Sequence, residues 1–229
     1  MLFLGTLVNA GLVLAGSLLG LLLGKAIPER FRSAVMAGLA LCVLLIAFGG
    51  FSGGENVLIT IISMVVGVII GELLRLDDRV NALGDTLQRL VNKNRKSGTV
   101  SVAEGFVTCT LLFCIGTMVI LGALEAGLGQ GHSIYIAKAT LDGVSSLIFA
   151  SSLGVGVCFS AVSVLIVQSV LVLTASFFAP YLQAAQGEMV CVGSLLLVAI
   201  SLNMLGVTKI KVVNYSPAIF IPIILCKFM

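Results

Sequence analysis

Apolar residues fall in continuous runs along this chain, separated by short polar turns and by one longer polar stretch. The runs cover residues 2–24, 34–51, 57–76, 105–124, 134–153, 159–179 and 190–206. Each is about 20 residues long, enough for an α-helix rising ~1.5 Å per residue to cross a hydrocarbon layer. A strand in a barrel wall would instead alternate apolar and polar positions. The pattern therefore predicts seven membrane helices. An eighth apolar stretch, 218–228, is short and contains Pro222. It predicts either a tilted short span or a re-entrant piece.

The longer polar stretch, 77–100, has its own period. Val80, Leu83, Leu87, Leu90 and Val91 recur at helical spacing, with Arg79, Asp85, Arg89 and Lys93 between them. This predicts an amphipathic helix, either lying in the headgroup layer or packed as a linker on the bundle.

Composition supports the same class. The chain is 59% hydrophobic and 10% charged over 229 residues, whereas soluble domains need about 25% charged residues to keep a hydrated surface. Hydrocarbon admits only helices or closed barrels, because every backbone polar group must be paired internally. The expected fold is all-α, a polytopic transmembrane bundle of seven or eight helices. Its expected organisation is a first three-helix unit (1–76), a cytoplasmic amphipathic linker (77–100), a second three-helix unit (101–180) and one or two final helices (181–229).

Charge placement predicts the orientation. The segments after the first, third and seventh runs hold 11 of the 13 Lys and Arg residues, including Lys25, Arg30, Arg32, Arg75, Arg79, Lys209 and Lys211. Cations gather on the cytoplasmic side, so the N-terminus is expected outside and the protein in a bacterial inner membrane. The first run has no cation before it and is longer than a signal-peptide core, so it is expected to be a retained helix. A net charge of +3 needs no nucleic-acid partner to explain it.

The two halves echo each other weakly. Ala15-Gly16-Ser17-Leu18-Leu19 answers to Ile115-Gly116-Thr117-Met118-Val119, and each is followed by a glycine-rich break, at 49–54 and 154–156. With three helices per unit the echo is an inverted repeat, an architecture of secondary transporters. Small-residue pentapeptides are also common in membrane helices, and both readings stand at this level.

Ionisable groups inside a span cost several kcal/mol (~3 on insertion scales) and ask for a partner or a purpose. Asp142 lies about 12 Å into its run at ~1.5 Å per residue, and Lys138, four residues earlier, shares its face. The pair reads either as an ion or proton site with its counter-ion, or as a self-neutralising structural bridge. Glu72 and Glu104 lie at the cytoplasmic edge. There Glu72 reads as solvated or paired with Arg75, and Glu104 as a charge matching a helix N-terminus. Asn9, Gln168 and Asn203 lie within runs, where amides join helices or line a polar path. Substrate or ion binding is therefore expected among Asp142, Lys138, Glu72, Glu104, Asn9, Gln168 and Asn203.

No phosphate-binding loop, zinc-protease motif or nucleophile elbow occurs, and the single histidine, His132, lies in a turn. No enzyme activity, catalytic residue or cofactor is expected. The six cysteines fall in or beside apolar runs at spacings that match no metal motif, so no metal is expected either.

Several longer motifs carry a family resemblance. They are Gly5-Thr6-Leu7-Val8-Asn9, Gly67-Val68-Ile69-Ile70-Gly71-Glu72, Glu104-Gly105-Phe106-Val107, Leu112-Phe113-Cys114-Ile115-Gly116-Thr117-Met118-Val119, and Lys138-Ala139-Thr140-Leu141-Asp142-Gly143. Over nearly the whole chain the sequence resembles the YdfK/YqgA-type bacterial membrane proteins, a family of unknown function. The resemblance implies a bacterial inner-membrane protein and places Glu72, Glu104, Lys138 and Asp142 inside the family's motifs. It implies no substrate.

The leading functional expectation is a small secondary transporter or channel for an ion or small polar solute, with the lipid bilayer as its surroundings. The alternative is a non-transporting scaffold or regulatory subunit, docking through small-residue faces such as Gly16-x-x-x-Gly20. A protomer of this size is small to enclose a pathway alone, which points to a homodimer.

Overall fold

The computed structural model describes residues 2–24, 29–91, 102–115 and 117–228. Lys25, Lys93, Arg95 and Lys96, which entered the expected orientation, and Gly116 of the internal echo lie outside the described residues. The elements are α1 (Leu4–Gly24), α2 (Glu29–Phe51), α3 (Val57–Leu73), α4 (Leu76–Val91), α5 (Val102–Cys114), α6 (Thr117–Gly127), α7 (Ser133–Leu153) and α8 (Gly156–Met204). A segment of α9 (Val212–Tyr215), a 3-10 turn (Ser216–Phe220) and α10 (Pro222–Leu225) completes the chain. No strand occurs among the described residues.

Local propensity does not explain this by itself. α3 begins Val57-Leu58-Ile59-Thr60-Ile61-Ile62, a β-branched series that would suit a strand in water. In hydrocarbon an isolated strand leaves its amides unpaired, and a helix pairs them within the segment. Asn56 starts that helix, its side chain accepting from the Leu58 amide at 3.0 Å.

Four helices are long and apolar enough to cross a membrane: Leu4–Gly24, Ala34–Phe51, Gly156–Ala175 and Ala179–Met204. The number is six if each of two bent pairs is one span, α3 with the start of α4 (53°) and α5 with α6 (60°). The single run expected at 105–124 is thus broken at its centre. The runs expected at 159–179 and 190–206 are joined in one 49-residue helix. Residues 180–189 are helical because Leu182, Ala185 and Met189, at helical spacing, pack on Ile120 and Leu124 of α6.

A straight α8 would be about 73 Å long at ~1.5 Å per residue, more than twice a hydrocarbon layer of ~30 Å. Instead it folds back near Pro180. Gly156 lies against Val102 and Phe106, and Gly127 lies against Ala175, so the first half runs alongside α5 and α6 in their direction. In the second half Met189 meets Ile120, Gly193 meets Ile115, and Ile200 faces Ala103 across a cavity. That half runs the opposite way. α2 is fastened to it by the Ser201 hydroxyl, which donates to the Ala40 carbonyl at 2.7 Å.

α1 and α7 run side by side in the same direction, with Gly5 at Tyr135, Gly16 at Gly143 and Gly24 at Ser151. A Cβ at Gly16 or Gly20 would overlap the backbone carbonyl of Gly143 or Leu147. Such close backbone approach is how helices gain packing energy in lipid. The Gly16-x-x-x-Gly20 face, one expected docking surface, is therefore covered within the chain itself.

The final stretch runs alongside α3, with Asn214 against Gly71 and Ala218 against Gly67. It begins where the Asn214 amide donates to Glu72 at 2.8 Å and ends with Lys227 5.6 Å from the Tyr181 ring centre. It thus follows α3 from one end of the bundle toward the other. Pro217 and Pro222 lack the amide a continuous helix would use, and the stretch is correspondingly divided into short helical pieces.

The burial pattern is inverted relative to a soluble helix. The buried face of α1 is Gly5, Thr6, Asn9, Val13, Gly16, Ser17 and Gly20. Its leucines, including Leu7, Leu18, Leu19 and Leu22, point outward. Ile61, Val65 and Ile69 of α3 do the same. An apolar exterior around an interior of small and polar residues fits only an apolar solvent.

Candidate functional site

The buried face of α7 carries Tyr135, Lys138, Ala139, Asp142, Ser146 and Phe149, spaced at three and four residues. Lys138 and Asp142 are each 6% exposed, and the Lys138 ammonium donates to Asp142 Oδ2 at 2.5 Å. Asp142 lies nine residues after Ser133 in a 21-residue helix, so the pair is near the middle of α7. The parallel packing of α1 brings Asn9 to the same level, and its Nδ2 donates to Asp142 Oδ2 at 3.0 Å. One carboxylate oxygen thus holds both an ammonium and an amide.

The polar atoms of this group are not all matched. Among the described residues Asn9 Oδ1 has no hydrogen-bond partner, nor has either amide atom of Gln168, a fully buried residue on α8. The first half of α8 packs antiparallel to α1. Val13 shares an apolar cluster with Val157 and Ala161, and Phe3 shares another with Val172. That register places Gln168 within one turn of the level of Asn9. A buried unmatched amide costs about 1–3 kcal/mol, so each marks a place where a polar ligand or water would be held.

The break between α5 and α6 lies beside the pair. Tyr135 of α7 reaches α6 just after this break, and its Cβ and ring also lie against Gly5 of α1. Tyr135, one turn before Lys138, donates its hydroxyl to the Val119 carbonyl of α6 at 2.9 Å. Cys114 and Val119 also line an apolar cavity of about 200 Å³, together with Thr110, Val167, Leu171 and Ile219. The pair and the cavity therefore flank the same interruption in a helix.

The other expected residues gather at the α4 end of the bundle. Glu104 and Asn203 line a second cavity of about 150 Å³ with Asp77, Asn81 and Thr108. Glu72 accepts from Asn214, whose Oδ1 in turn accepts from the Asp77 amide at 2.8 Å. Asn203 is occupied locally: its Oδ1 accepts from Thr208 and from the Ile210 amide, and its Nδ2 donates to the Ile210 carbonyl. The seven expected residues thus divide. Asn9, Lys138, Asp142 and Gln168 share one level within the bundle, and Glu72, Glu104 and Asn203 collect at one end.

Sequence reasoning missed Glu188. It is 6% exposed and accepts from the amides of Glu55 and Asn56 at 2.8 and 2.7 Å, and from the Thr60 hydroxyl at 3.3 Å. A carboxylate at the start of α3 satisfies otherwise unpaired amides and complements the helix dipole. Its one sequence signal was an acid directly before an apolar run, in a segment that read as a loop. Among the described residues no group of three or more His, Cys, Asp or Glu could hold a metal ion.

Fold, burial pattern and site define an integral membrane protein with several apolar helices. The chain belongs to the family described as "Protein of unknown function (DUF554)", whose model matches residues 4–227. It is 32% identical over 225 residues to "Uncharacterized protein YqgA" of Escherichia coli (strain K12), covering 95% of this chain and 94% of that protein. It is 29% identical over 227 residues to "Uncharacterized membrane protein YdfK" of Bacillus subtilis (strain 168), covering 95% and 93%. The family resemblance read from the sequence is the one these matches give. No solved structure matches.

Proposed function

We propose that this protein is a small secondary transporter or channel for an ion or small polar solute, and not an enzyme. The observation that carries the reading is the buried Lys138–Asp142–Asn9 group, with Asn9 Oδ1 and the Gln168 amide left unmatched, set beside a bent helix pair. A purely structural bridge is replaceable by apolar residues at little cost, and it gives no reason for unmatched amides at the same level. Discontinuous helices at the middle of the membrane are where transporters bind solutes, since irregular backbone is tolerated only where it lines a cavity.

In this reading the protein is set in a bacterial inner membrane with its N-terminus outside and the α4 end in the cytoplasm. The Glu104 cavity is then an inner vestibule. The two halves are related as inverted repeats, a relation supported by the opposite directions of α1 and the α5–α6 pair. A homodimer in the bilayer is the working assembly. The scaffold alternative has less support, because α7 already covers the Gly16 and Gly20 face.

The test is solute flux into proteoliposomes, wild type beside Asp142→Asn. Flux of at least one ion or solute that disappears in the variant supports the reading. A correctly folded wild type that moves none of a broad panel of cations, anions and amino acids overturns it.

A further inference from the structure

Fixed charges of both signs, spare amide groups and an apolar chamber converge on one interruption of a helix. Resting on the transport reading above, we infer that the site between α1, α5–α6, α7 and α8 binds a small apolar α-amino acid. Asp142 and Lys138 take its ammonium and carboxylate, and the Cys114–Val119 cavity takes its side chain.

The charges come first. A lone cation or anion would meet only one useful partner in this group and would be repelled by the other. A zwitterion matches both: its ammonium replaces Lys138 on Asp142, and its carboxylate meets the freed ammonium. Net charge in the bundle stays unchanged, which matters where an uncompensated charge is costly. Asn9 Oδ1 and the Gln168 amide supply a further acceptor and both kinds of bond to the same headgroup. These are the atoms that the protein's own side chains leave unmatched.

The cavity supplies the second half. Its volume is about 200 Å³ and its lining is almost wholly apolar, from Leu111, Ile115, Ile120, Val167, Leu171 and Ile219. An apolar cavity of about 150 Å³ already accepts a benzene-sized group. Val119 lines the cavity, and its carbonyl accepts from Tyr135, one turn before Lys138 on α7. An inorganic ion would have no use for this chamber, and a long polar solute would leave polar groups unpaired inside it.

The experiment measures thermal stability of the purified full chain in detergent with four probes. These are L-leucine, glycine, 3-methylbutanoate (no ammonium) and 3-methylbutylamine (no carboxylate). L-leucine is expected to raise Tm, because a ligand that binds only the folded state stabilises it. Glycine is expected to bind about tenfold or more weakly, for want of the buried side chain. Neither single-charge analogue is expected to match leucine. Val167→Phe, which fills the cavity without touching the charges, is expected to abolish the leucine shift while the protein still elutes as a single folded species. If 3-methylbutanoate or an inorganic ion produces an Asp142-dependent shift and leucine none, this inference falls and the transport reading stands. If leucine protects Val167→Phe as well as wild type, the inference also falls. If no ion or solute shifts Tm and none is moved in the flux test, both fall.

Discussion

Asn9 of α1 donates to Asp142 of α7 at 3.0 Å across 133 residues of sequence, and the same carboxylate oxygen receives the ammonium of Lys138. The bond exists because α1 and α7 lie parallel at glycine-limited separation, and Asn9 faces inward on the same stripe as Gly5 and Gly16. It ties the first half of the chain to the second at the middle of the bundle.

That arrangement separates a structural bridge from a working one. Lys138→Met leaves Asp142 buried without its cation and is expected to lower stability by about 3–5 kcal/mol. The double variant Lys138→Met, Asp142→Leu removes both charges and is expected to recover most of that loss. Equilibrium unfolding in mixed micelles measures both. Recovered stability with lost flux identifies the pair as functional, whereas recovered stability with flux retained makes the bridge structural.

The α1–α7 contact makes a sharper steric prediction. Gly16→Val drives a side chain into the Gly143 backbone and is expected to cost about 3 kcal/mol or more, the upper end of overpacking effects. Gly11 gives the contrast, because a methyl group added there would meet nothing within 4 Å. Gly11→Ala is expected to gain up to about 1 kcal/mol from helix propensity alone. Melting temperatures of the two variants, measured side by side, check the register of α1 on α7.

Glu188 holds the start of α3 through the Glu55 and Asn56 amides. Charge-assisted bonds of this kind contribute about 1.5–3 kcal/mol each. Glu188→Leu should therefore lower stability by about 3 kcal/mol or more. Glu188→Gln, which keeps an acceptor oxygen, should lose less than half as much. Equal losses in the two variants would show that the charge, and not the acceptor geometry, is what α3 requires.

At the opposite end Asn214 bridges Glu72 and the Asp77 amide, both at 2.8 Å. The chain turns there through Arg75, a non-glycine residue at φ 49°, a left-handed conformation that costs about 1–2 kcal/mol. Asn214→Leu is expected to lower stability by about 2 kcal/mol, roughly two hydrogen bonds. The Asp77 amide should exchange with deuterium faster than the amides of α1. Unchanged exchange at Asp77 would mean that the corner holds without Asn214.

Much of this protein is legible in its sequence. Apolar runs of spanning length in a chain 10% charged dictate a helical membrane bundle, because hydrocarbon requires each segment to pair its own amides. The Lys138–Asp142 bridge was equally legible, since residues four apart on a helix must share a face whatever surrounds them. Asn9 and Gln168 could be named as amides in the wrong solvent. Their shared level could not, because it depends on which helices lie parallel and which antiparallel.

Packing between distant segments settled the remainder. Residues 180–189 read as a polar loop and are helical because α6 buries Leu182, Ala185 and Met189. The run at 105–124 read as one helix and is bent by 60° between α5 and α6. Glu188 drew no reading from the sequence and is a buried cap for a helix more than a hundred residues earlier. In each case the local sequence was compatible with more than one outcome. Contacts between segments far apart in the chain chose between them, and in lipid, where apolarity does not distinguish inside from outside, only those contacts can.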